Sequence, residues 1–298
     1  MNAPAPIRYQ SRASIVGEDT QIRRALPNRA RRLVGAWCFL DHLGPVQFAP
    51  NKGMHVGAHP HIGLQTFTWM IEGEVMHRDS LGNEQIIRPG QVNLMTAGRG
   101  ISHTEDSVTE GAAMHAAQLW IALPKEEKDR EPGFQNYPEL PATDVGGWHA
   151  TVVAGTALGH TAPTKVYTPL VGVDLTSSGA ADTTLPLQAD FEYGVMALRG
   201  EAEVAGEALG LGELLYFPPG RTELQLRASA AAQVLLVGGR PFGEEVMVWW
   251  NFVARTHEEM QQAADDWNAG RRFGTVPAGS PAKPLTVPSL DGVRLRTS

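Results

Sequence analysis

The chain has 298 residues, 42% hydrophobic and 19% charged, a balance that can bury a large core and that excludes an intrinsically disordered protein. Its formal net charge of -7 offers no general attraction to nucleic acid or to an anionic membrane. No apolar run reaches the length of a membrane span, and MNAPAPIRYQ lacks the apolar region of a signal peptide. The single cysteine, Cys38, rules out an intrachain disulfide, so a cytoplasmic chain is expected.

In chain order, residues 1 to about 20 alternate weakly and read as an edge strand or arm. Arg23, Arg24, Arg29, Arg31 and Arg32 then form a basic patch; without interleaved aromatics it reads as a surface that pairs with acidic groups. LVGAWCFLDHLGPVQF is strand-like, places Cys38 as a buried thiol and ends in a turn at Gly44-Pro45. Alternating segments follow over roughly 64–71, 74–79, 84–88 and 92–95, with hairpin turns at Asp79–Asn83 and Pro89-Gly90. Residues 114–123 read as a further barrel-wall strand. Pro124 to Pro141 reads as a long surface loop anchored by Phe134 and Tyr137. A second strand-rich region begins near Trp148, and the Trp249-Trp250 pair reads as core or interface. Thr256 and Glu259 have capping-box spacing, Met260, Ala263, Ala264 and Trp267 recur at helical intervals, and Gly270 ends the pattern. The tail after 272, rich in Pro, Gly and Ser, is expected to lie extended on the surface.

Two short clusters stand out, His59-x-His61 and His103-x-Glu105. Side chains at i and i+2 of a strand share a face, so each cluster presents two ligand-type groups together. A lone histidine is ordinarily a satisfied core residue. Two such pairs bracketing a barrel-like strand pattern instead point to four N/O donors around one ion. Three imidazoles and a carboxylate suit Fe(II), Mn, Co, Ni, Cu or Zn far better than Ca or Mg.

The chain also repeats itself. MIEGEVM (70–76) resembles ALRGEAE (197–203), and GQVNLMTAG (90–98) resembles GELLYFPPG (212–220), which indicates duplicated strand modules. Transferring the ligand offsets onto the second copy lands on Pro186, Gln188, Gln225 and Arg227, so none of the four ligands is repeated there. The second module is therefore expected to be metal-free, with a structural or partner-binding role.

HPHIGLQTFTWMIEGEVMHRDSLGN followed by TAGRGISHTEDS resembles the metal-binding signature of the pirin family of bicupins. RRALP, FLDHLGP and ALPKEEKDREPGFQNY are similar to its flanking motifs. The resemblance is strongest over about 20–140 and stays collinear to about 270. It implies an all-β chain of two tandem cupin barrels with a short C-terminal helix. The domains are expected as 1–145, a metal-binding barrel, and 146–298, a metal-free barrel carrying the helix and tail. It also implies one iron held by His59, His61, His103 and Glu105, the four residues that spacing selects. One departure is Gln65, where many relatives carry Glu.

Members that resemble quercetinases open the heterocyclic ring of a flavonol with O2 and release carbon monoxide. On that reading Glu105 is both ligand and general base for the 3-hydroxyl proton, and Trp69, Met76, His77 and Met95 line the substrate pocket. The partners are then a flavonol-like substrate and O2, on a monomer without nucleic acid or membrane. Other members resemble regulators whose metal state tunes a protein partner, and a third reading is other cupin chemistry such as isomerisation.

Overall fold

The computed structural model describes residues 4–17, 19–290 and 292–297. Strands make up about half of the chain, and the fold is all-β with two cupin domains and one short C-terminal helix, His257–Asn268. The weakly alternating N-terminus forms two short strands, Ile7–Gln10 and Arg12–Val16.

The chain divides into two compact units. One contains Arg23–His42 and Glu139–Phe242 with the N-terminal stretch to Ala13; the other contains Ser14–Ile22, Leu43–Pro138 and everything from Gly243 onward. This differs from a single boundary at 145/146, because the helix and tail belong with the unit that carries the histidines. Apolar burial explains the grouping: Met260, Ala263 and Ala264 of the helix pack with Phe252, Phe273 and Ile62 in one cluster. Trp249 and Trp250 pack against that same cluster. The helix begins as its sequence suggests, with the Thr256 hydroxyl accepting from the Glu259 amide at 3.1 Å and Glu259 accepting in return from the Arg255 amide.

In the histidine-bearing unit a four-stranded sheet runs in the order His55–His61, Ile101–Ser107, Val75–Asp79, Glu84–Ile87. Strands Gly133–Tyr137, Val92–Thr96, Leu64–Glu72 and Ala113–Ala122 lie in that order in a second, seven-stranded sheet. Gly133–Tyr137 falls inside the stretch read from sequence as a loop. Five residues between Pro132 and Pro138 are too few to show a period, yet they pair along the whole of Val92–Thr96. His55–His61 is an edge strand, which is where Pro60, with no N–H to donate, is tolerated.

The other unit repeats the four-stranded order with Ala181–Pro186, Glu223–Ala228, Ala202–Val204 and Glu207–Leu209. Its core is apolar and includes Leu185, Leu224 and Leu226. These leucines hold the inward positions, whereas Pro186, Gln188 and Arg227 are exposed and Gln225 is partly so. The inward positions of the second unit thus lie one residue away from Pro186, Gln225 and Arg227, and a shift of one residue exchanges the two faces of a strand.

Candidate metal centre

His59 and His61 project from the edge strand, and His103 from its neighbour, where it pairs with His59 on one side and with Asp79 on the other. The pairing then shifts: His103 faces His59 but Glu105 faces Val56, so the edge strand carries one extra residue at Gly57-Ala58. A Cβ at Gly57 would fall 1.8 Å from the Lys283 carbonyl oxygen, so only glycine fits beneath the C-terminal tail.

The regular pairing ahead of this bulge, His103 with His59 and Ile101 with His61, brings the three rings together. One nitrogen from each lies within 4.8 Å of the other two, and the Nε2 atoms of His61 and His103 are 3.1 Å apart. All three rings are buried. A carbonyl oxygen only accepts, so the contacts of ring nitrogens with carbonyls assign the protons. His59 Nδ1 donates to the Gly57 carbonyl at 2.8 Å, and His61 Nδ1 donates to the Asn251 carbonyl at 2.9 Å. In a neutral ring each then has a bare Nε2. Burial keeps the rings neutral: it lowers the His59 pKa to about 4 and takes His61 and His103 well below the ordinary value, with neighbouring imidazoles adding to the effect. Bare nitrogen lone pairs sharing one dry space repel each other unless a cation lies between them. Nitrogen-rich donors of this kind fit a divalent transition metal.

Glu105 is not one of that mutually close group. It lies directly opposite His77 on Val75–Asp79 and so shares the inward face with His77 and His103. Burial lifts its carboxyl to about 7, with the Asp106 charge adding to the rise. Its three rotatable bonds make it the most movable of the four residues selected from sequence.

The other wall residues separate by strand face. Trp120 packs edge-on against His61 at 5.3 Å and pairs across the sheet with Thr66, which pairs in turn with Met95. Met95 pairs with Phe134, whose ring stacks on His77 at 4.2 Å and 13°. Met95, Phe134, Thr66 and Trp120 therefore share the histidine face. Trp69 sits an odd number of residues from Thr66 and points to the opposite face; Met76 likewise alternates with the inward His77. Gln65 is also on the far face, with its amide donating to Thr96 at 2.9 Å, so the missing carboxylate there leaves the centre untouched. Sequence reasoning missed Trp120 and the Asn251 carbonyl. Nothing local marks either one, since each acts through a partner far away in the chain.

Residues 19–121 match the Pirin family, and residues 172–274 match the Pirin C-terminal cupin domain. A Pseudomonas aeruginosa protein named "Putative quercetin 2,3-dioxygenase" is 51% identical over 272 residues, 91% of this chain and 86% of that one. The chain belongs to the pirin family. A pirin-like protein of Caulobacter vibrioides is 39% identical and covers 84% of this chain and 89% of its own length. In three dimensions this pirin-family chain is similar to a quercetin 2,3-dioxygenase from Acinetobacter baumannii, with a TM-score of 0.94 at 48% identity and 98% of each chain covered. Among the described residues no helix is long and apolar enough to cross a membrane.

Proposed function

We propose that this protein is an iron-dependent dioxygenase of the quercetin 2,3-dioxygenase kind, with His59, His61, His103 and Glu105 holding the metal. The observation that carries this reading is the buried set of imidazoles with their Nε2 atoms turned together, on the same inward face as the Glu105 carboxyl group. The names of the relatives from P. aeruginosa and A. baumannii support it.

When bound, the ion supplies Lewis acidity toward an oxygen donor and a redox partner for O2. The chain's own residues do the rest. Met95, Phe134 and Trp120 offer apolar and aromatic surface against which a flavonol ring system can lie. Glu105, opposite His77 on the inward face, is placed to accept the flavonol 3-hydroxyl proton. Burial of the three histidines keeps bulk water from that proton transfer.

The test is aerobic incubation of iron-loaded protein with quercetin, following loss of the flavonol band, O2 consumption and carbon monoxide release. Stoichiometric carbon monoxide with multiple turnovers supports the dioxygenase. Tight iron binding without flavonol turnover would move the assignment to a metal-dependent binding protein.

A further inference from the structure

His77 lies inside the barrel, so it is available in principle either as a substrate contact or as a fourth imidazole ligand. Its contacts point to neither. Its Nε2 lies 3.1 Å from Asp79 Oδ2, and its Nδ1 lies 3.3 Å from His103 Nδ1. One face of its ring is covered by Phe134. Both nitrogens are committed behind His103.

The protons in this chain of groups can be assigned from its buried end. Asp79 is fully buried, and its carboxylate accepts from the amides of Leu81 and Asn83 and from the Asn83 side chain at 2.9–3.2 Å. Those contacts all come from N–H donors, which a carboxylate accepts. A carboxylate only accepts, so His77 carries a proton on Nε2, and in the neutral ring its Nδ1 is bare. The 3.3 Å contact then requires His103 to donate from Nδ1, which leaves His103 Nε2 bare and facing the other two rings. The backbone carbonyls of Gly57 and Asn251 set the tautomers of His59 and His61, whereas His103 Nδ1 meets the His77 ring.

We propose that Asp79 and His77 are a positioning pair that fixes the tautomer and ring orientation of His103 for metal binding. This rests on reading the three-histidine cluster as a metal centre. Partners of this kind behind a ligating histidine commonly contribute 10–100-fold in metal affinity.

The experiment uses full-length protein stripped of metal, with Ni2+ as a probe that needs no turnover. Long-range 1H–15N correlation spectra report which nitrogen of each histidine carries the proton in the metal-free protein, and chelator competition reports the Ni2+ Kd. In the wild type His103 is expected to be protonated on Nδ1. Asp79→Asn can donate its amide N–H to His77 Nε2, which moves the His77 proton to Nδ1 and the His103 proton to Nε2. Its Ni2+ affinity should fall about 10–100-fold. His77→Phe keeps a ring against Phe134 but removes the acceptor, and its affinity should fall in the same way. If Asp79→Asn fails to fold, His77→Phe and the wild-type spectrum still decide the matter. A wild-type His103 protonated on Nε2, or both variants binding Ni2+ within about threefold of wild type, would overturn the proposal. A wild type that binds no Ni2+ would overturn the metal-centre reading beneath it, and equal affinity in all three proteins would overturn the positioning role alone.

Discussion

Glu105 gives a prediction that needs neither metal nor substrate. The barrel holds this carboxyl at a pKa of about 7, against 4.5 for the unperturbed group, and burial is the main cause. Folding therefore favours its protonated form. The sign follows from linkage: below pH 4.5 the group is protonated in both states and has no effect. Between 4.5 and 7 the unfolded chain releases the proton while the folded chain holds it, so stability falls as pH rises. Above 7 the loss is complete and constant. A shift of about 2.5 units at about 1.36 kcal/mol per unit is about 3 kcal/mol, an upper figure because the side chain is partly exposed. Glu105→Gln keeps the size and cannot ionise. In metal-free protein it should match the wild type near pH 4.5 and exceed it by up to about 3 kcal/mol above pH 7. Urea unfolding of both proteins, stripped of metal, at intervals from pH 4.5 to 8.5 measures the difference directly. A stability difference that stays flat with pH would refute the reasoning, because it would mean that folding does not perturb the carboxyl.

The same variant, loaded with matched iron, should turn over flavonol more slowly by a factor on the order of 10² to 10⁴, measured as kcat/KM, with part of the loss restored at higher pH where more substrate is already ionised. His59→Ala should abolish tight metal binding by elemental analysis while circular dichroism shows a folded β protein, because the apolar clusters on both sides of the division do not depend on the ion. His59 works in the opposite direction to Glu105. Its folded pKa of about 4 lies below the ordinary 6.5, so its contribution is present above 6.5 and is lost as pH falls toward 4; metal-free His59→Gln should show a weaker acid loss than wild type in the same unfolding series. Phe252→Ala, at a fully buried ring packed on Phe273, should cost about 3–5 kcal/mol by denaturant unfolding.

Much of this protein is readable from local pattern alone. Alternation across 64–96 locates strands to within a residue or two, since one face of each must be apolar. Thr256 and Glu259 mark the helix start because a cap is made by neighbours in sequence. His59-x-His61 and His103 could be picked out because the two-residue strand period sends alternate side chains to the same face. What the pattern could not supply was which face, and next to what. Trp69 and Met76 look as suitable for a pocket as Met95 does, and only the pairing of Thr66 with Trp120 and Met95 shows which of them turn inward. The second copy shows the same limit, where the transferred offsets reach Pro186 and the inward position one residue away belongs to Leu185. The helix and tail joined the first barrel because their apolar side chains found burial against Ile62 and Phe252, a choice made by surface complementarity across nearly two hundred residues of chain. The tautomers of the histidines depend most on tertiary structure. Each ring's proton is placed by an acceptor that folding brings to it: a bulged carbonyl at Gly57, a hairpin carbonyl at Asn251, and the Asp79–His77 pair behind His103.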